Sequence, residues 1–233
     1  MQARRRRWLL AALLCGVATG TAYAASALAA LSQKDAVAGL REALTRGTTA
    51  AIARLGVTDG FLGNPEVKIP LPGKLARAEK TLKLLGLGPK ADELVTTMNR
   101  AAEAAMPEAR TLFVDAIRQM SVQDAKSILS GGDDAATQFF RRTMQDKLSL
   151  KFLPVIKQST DKLQVATQFN ALAGQASKFG LVDAKDATVE SYVTAKAMDG
   201  LFLMMAKEEL AIRKDPVGTA SKLLQKVFGA LQK

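Results

Sequence analysis

The chain contains no histidine, and its 233 residues include a single cysteine, Cys15. The first absence removes the usual general base, the serine and cysteine triads built on imidazole, and zinc sites with histidine donors. The second leaves nothing with which to form an intrachain disulfide or a paired thiolate site. Most hydrolase and redox classes fall away on these two counts, and neither a metal nor a cofactor is expected. Aromatic residues are scarce, at 5%, whereas Ala, Leu, Lys and Gln are plentiful, a balance that favours helix over sheet. No Walker or dinucleotide-binding glycine pattern occurs, and Gly86-Leu87-Gly88 ahead of Pro89 is better explained as a helix break.

What is present begins with a targeting segment. Arg4, Arg5, Arg6 and Arg7 form a basic stretch, Trp8 to Val17 an apolar one, and small residues follow, the pattern of a secretory signal peptide over 1–29 cut between about 24 and 29. Three readings compete with it. An uncleaved anchor has against it an apolar run that is short and broken by Gly16 and Gly20. Twin-arginine export rests on the arginines alone. Lipidation at Cys15 meets a bulky Leu14 where a small residue is wanted. With the signal removed, residues 30–233 form the mature chain, of a length that suits a single helical domain. That chain has neither cysteine nor histidine, and it carries 29 basic against 22 acidic residues, so the formal +11 falls to +7. Such a charge favours an anionic envelope component or an acidic protein partner; export makes nucleic acid a poor one.

The mature chain reads as helix almost throughout. A first helix is expected from about Gln33 to Leu55, capped by Ser32 and ended at Gly56, with Leu40, Leu44, Ile52 and Leu55 inward. Between 59 and 72, three prolines and two glycines forbid a regular helix. Val67, Ile69 and Leu71 alternate with polar residues or proline there, so the segment is expected to lie extended across the helices with those side chains tucked in. It serves either as a connector or as a ligand-binding loop, with Phe61, Asn64 and Lys68 the candidates.

A short helix is expected near Lys74 to Leu85, then a long one from Pro89 to Met120 that Pro107 kinks or divides. Ser121 caps Val122 to Leu129, with Asp124 in the first turn. Asp133 or Asp134 caps the next helix, with Ala135, Ala136, Phe139, Phe140, Met144 and Leu148 on its apolar stripe, and Pro154 is expected to break it. Two further helical pieces, 155–164 and 166–179, precede a central helix near 188–214, capped by Thr188. There Leu201, Phe202, Leu203, Met204, Met205 and Ala206 are apolar on every side, a pattern that calls for protein or lipid all round. Six such residues are far fewer than the roughly 20 needed to span a bilayer. The fold class is therefore all-α: an irregular helical bundle around this helix. A last amphipathic helix, Gly218 to Leu231, carries Leu223, Leu224, Val227 and Phe228.

Three stretches together resemble a known family: GFLGNPEVKIPLP at Gly60 to Pro72, MSVQDAKSILSGGDDAATQFFR at Met120 to Arg141, and DGLFLMMAKEELAIRKDP at Asp199 to Pro216. They look like the family catalogued as domain of unknown function 4197, exported helical proteins mostly of Gram-negative bacteria. The resemblance runs from about Leu31 to Gly229. It implies a single exported helical domain and supplies no mechanism.

The polar residues worth weighing are few. Asp133-Asp134 and Glu208-Glu209 are adjacent acids, which on a helix point about 100° apart. Helix capping accounts for the first pair, and an i,i+4 salt bridge of Glu209 with Arg213 for part of the second. Asp199 abuts the apolar run, where a partly buried acid needs a partner such as Lys196, Arg141 or Arg142. Arg141 and Arg142 are candidates for a carboxylate or phosphate. The leading expectation is a periplasmic, non-enzymatic protein that binds an envelope component or a protein partner. The rivals are a carboxylate-based, glycan-cleaving enzyme around Asp199, Glu208 and Asp134, and a peripheral membrane binder using Lys222, Lys226 and Lys233.

Overall fold

The computed structural model describes residues 33–72, 84, 86, 88–161, 167, 170, 188–215 and 222–229. The described residues contain six helices and no strand: α1 Gln33–Leu55, α2 Gly88–Gln119, α3 Val122–Leu129, α4 Ala135–Thr160, α5 Val189–Lys214 and α6 Lys222–Gly229. They close on one shared apolar core. The expected helix near 74–85 and nearly all of the piece at 166–179 lie outside the described residues, as does Ser32.

Helix α1 turns Leu40, Leu44, Ile52 and Leu55 into the core, and the Gly56 amide closes it on the Ile52 carbonyl at 2.8 Å. Helix α2 runs without interruption through Pro107. A proline removes one backbone bond, but Ala105, Met106 and Ala109 around it are buried and hold the two halves in line. Arg41 of α1 reaches the Met120 carbonyl just beyond α2 at 2.8 Å, while Gly56 lies beside Met106, so α1 and α2 are antiparallel.

Helix α3 has the capping box expected of Ser121 and Asp124: the Asp124 amide donates to Ser121 Oγ at 3.0 Å, and the Ser121 amide donates back to the Asp124 carboxylate at 3.0 Å. The expected break of α4 at Pro154 does not occur; α4 continues to Thr160. Pro154 and Leu150, whose carbonyl loses its donor, both stand on the exposed side, where the carbonyl is open to solvent. Leu148, Phe152 and Ile156 anchor the opposite side in the core.

Helix α5 packs against α1, α2 and α4 and starts at Thr188, whose hydroxyl accepts the Ser191 amide at 3.1 Å. Leu201, Phe202, Met204 and Met205 are buried, but Leu203 is 39% exposed. The all-round apolar environment expected of this run is thus incomplete, because α5 presents Lys196, Asp199, Leu203 and Lys207 along one wet edge. Helix α6 buries Val227 and Phe228, packed against α1.

The 59–72 segment crosses the bundle with Val67, Ile69 and Leu71 buried and Glu66, Lys68 and Pro70 outward, the alternation read from the sequence. No helix among the described residues is long and apolar enough to cross a membrane.

Candidate functional site

Among the described residues, two polar junctions bring together the largest sets of side chains. The first joins α5 to the facing ends of α3 and α4. The four leading N–H groups of a helix have no partner within it. Asp134 occupies the cap position of α4, yet its side chain makes no capping bond and instead accepts from Gln138 at 2.9 Å. The cap comes from elsewhere in the chain. Glu209 of α5 accepts the amides of Ala136 and Thr137, each at 2.9 Å, and the Thr137 hydroxyl at 2.9 Å. Arg213, one turn on, pairs with Glu209 at 2.9 Å and donates to the Ile128 carbonyl of α3 at 2.9 Å. An anion at a helix start and a cation at a helix end both match the macrodipole. Beside this junction lies a cavity of about 30 Å³ lined by Leu44, Phe140, Met205, Ile212 and Phe228 among others. That is room for about one or two waters, far below the roughly 300 Å³ of a small-molecule site.

The second junction fastens the 59–72 segment. Asn99 of α2, fully buried, accepts the Ile69 amide at 2.8 Å and donates to the Ile69 carbonyl at 2.9 Å, completing with one side chain the pairing a neighbouring strand would provide. Glu103, one turn later, accepts the amides of Phe61 at 3.0 Å and Leu62 at 3.2 Å. Arg100 bridges Glu103 at 2.7 Å and Asp59 at 2.8 Å, and its guanidinium is driven still further toward the charged form, first by Glu103 and then by Asp59. Tyr192 donates to the Pro70 carbonyl at 3.2 Å, and Lys207 pairs with Glu66.

Of the three loop candidates, Phe61 is fully buried in the core, against Gly200 of α5. Asn64 organises the turn: its side chain accepts the Glu66 amide at 3.1 Å and its carbonyl the Lys68 amide at 2.8 Å. Lys68 is exposed.

Of the remaining candidates, the structure pairs Arg141 with Asp199. Asp199 is not partly buried as expected; its side chain is 55% exposed, paired with Arg141 at 3.2 Å and with Lys196 at 3.9 Å. Arg141 also lies over the Phe202 ring, 4.7 Å from its centroid. Glu208 pairs with Arg54 of α1 at 2.6 Å. Asp133 and Arg142 are exposed. Arg41, Arg46 and Arg118 border a surface groove of about 480 Å³ with Glu42, Thr45 and Ile117. Arg46 is committed to Glu42 at 2.9 Å and Arg41 to the Met120 carbonyl, and the negative end of α2 opens there, which opposes an anion.

Sequence reasoning did not single out Asn99, Glu103 or Glu190. The last is a buried acid that accepts Thr160 Oγ1 at 3.0 Å and Asn170 Nδ2 at 2.9 Å. A signal for the first two exists: an asparagine beside Met98 and a lone acid inside Ala101-Ala102-Glu103-Ala104-Ala105, each on a helix otherwise apolar at those positions. Among the described residues, no three acids or other metal-ligating side chains gather.

No curated protein and no solved structure matches the chain. The family model described as Protein of unknown function (DUF4197) matches residues 30–229, a span that takes in the six described helices and the three motifs quoted above, and the chain belongs to that family.

Proposed function

We propose that the protein is exported to the periplasm and acts there without catalysis, binding an anionic component of the cell envelope. The observation that carries this reading is where the acids are spent. Glu209 caps α4, Glu103 fastens the 59–72 segment, Glu208 holds α1 to α5, and Asp199 sits in a solvent-exposed ion pair. A carboxylate serving as general acid or base needs a free proton site within reach of a substrate; the three glutamates are engaged in holding the fold, and Asp199 is paired at the surface with Arg141 and Lys196. Exposed cations are left to meet partners: Lys68, Lys126, Arg142, Lys147 and Lys151 all face solvent. The basic balance of 29 to 22 after signal removal supports the same reading.

The test is to fractionate cells, purify the protein from its own envelope and identify by mass spectrometry what stays bound. The expected result is a chain cut between about residues 24 and 29, carrying an anionic envelope molecule that high salt strips away. Hydrolysis of an envelope glycan that disappears in Glu208→Ala or Asp199→Ala, with folding retained, would overturn the reading in favour of a carboxylate enzyme.

A further inference from the structure

Helix α4 has two sides of opposite character. Inward, Leu148, Phe152 and Ile156 are fully buried. Outward, Leu150 is 76% exposed and Leu153 39% exposed, with Pro154 exposed beside them. These three follow Lys147 at spacings of three, six and seven, which places them along one outward strip of the helix. Lys147 and Lys151 flank the strip, and Lys157 lies at its far end. The acids on this side are Asp146 and Asp161. Asp161 is paired with Lys157 at 2.8 Å, which raises the lysine's pKa above its ordinary value. The face is thus cationic by three lysines to two acids, with an apolar ridge between them.

We propose that this face of α4, Lys147 to Lys157, docks on an anionic phospholipid surface; the proposal rests on the envelope-binding reading above and names its partner. Charge complementarity selects the partner's sign, and shape selects its kind. Leucines that project from the helix surface, beside lysine stems long enough to hold their ammonium groups at headgroup level, fit a plane that yields to them. The apolar ridge is displayed by design of the fold, because the inward anchors fix the rotation of α4 and leave Leu150 nowhere to turn. In the last helix, Val227 and Phe228 are buried in the core.

The test is flotation of the protein, in the form in which it accumulates in cells, with vesicles of phosphatidylglycerol and phosphatidylcholine, and with phosphatidylcholine alone. Binding is expected only to the anionic vesicles, weakening with salt. Lys147→Gln and Lys151→Gln are each expected to weaken it about fivefold, and Leu150→Ser with Leu153→Ser about tenfold or more. Val122→Ser, at an exposed apolar residue of α3, should leave binding unchanged, and all variants should keep the parent's circular dichroism. Equal binding to neutral vesicles, no binding at all, or binding indifferent to the α4 substitutions overturns the proposal. If vesicles fail while the purified protein still carries another anionic envelope molecule, the lipid proposal falls and the broader reading stands.

Discussion

One carboxylate oxygen of Glu209 takes both the amide and the hydroxyl of Thr137, each at 2.9 Å, although the two residues are 72 positions apart. The cap that α4 lacks in its own sequence is delivered by the helix that packs beside it. Glu209→Ala should therefore destabilise the protein by about 2–4 kcal/mol, because it strips the cap from α4 and removes the charge-assisted pair with Arg213. Urea unfolding measures this. A loss below about 1 kcal/mol would show that the junction contributes little.

Asn99→Ala should act through the segment it fastens. The variant leaves the Ile69 amide and carbonyl buried without partners, at about 1–3 kcal/mol for each group. Amide exchange at Ile69 should accelerate far more than exchange in α3. Equal acceleration in both places would mean the loss is global rather than local.

A methyl group added at Gly200 would lie 2.7 Å from Phe61 Cε1. Gly200→Ala is expected to cost about 1–3 kcal/mol through overpacking. Combining it with Phe61→Leu should recover part of that loss, read as a negative coupling in a double-mutant cycle. Strict additivity would place the strain elsewhere.

Asp199→Ala should be nearly silent. The acid is more than half exposed in its pairs with Arg141 and Lys196, and exposed pairs contribute about 0–1 kcal/mol. A thermal midpoint lowered by more than such a pair explains would reveal a role that the geometry does not provide.

Acid should loosen α3 through its capping box. The Asp124 carboxyl is held below its ordinary value of 3.8, chiefly because the Ser121 hydroxyl donates to it and secondarily because the Ser121 amide does. A depressed folded-state value means that the contribution is complete above about 3.8 and is lost as the pH falls through that folded value. Carbon-13 titration of Asp124 should show the depression, and Ser121→Ala should reduce it while costing about 1 kcal/mol. A titration at the ordinary value in the parent protein would contradict the capping geometry.

Where the chain starts and stops its helices was largely legible, because the signals are local. Ser121 with Asp124, Thr188, and Gly56 behind Leu55 mark helix ends by chemistry within a few residues. The alternation of Val67, Ile69 and Leu71 likewise told which side of the 59–72 segment faces in. What could not be read depends on contacts distant in sequence. Pro154 ends a helix by local rules, yet the burial of Phe152 and Ile156 overrides it and the freed carbonyl is open to solvent. Asp134 has the composition of a cap, but the acid that performs the task arrives from α5. Leu203 belongs to an apolar run, and only the placement of α1, α2 and α4 shows which edge of that run they leave open. Among the candidate polar residues, the i,i+4 spacing of Glu209 and Arg213 marked them as a pair but gave no hint of what they hold.

Helix α5 grips α4 at both ends: Glu209 at its first turn and Glu190, through Thr160, at its last. Neither helix can fray from that contact without releasing the other, even though 28 residues of chain separate Thr160 from Val189. The pair therefore behaves as one cooperative opening unit, and slow hydrogen exchange across α4 and α5 should report a single common free energy.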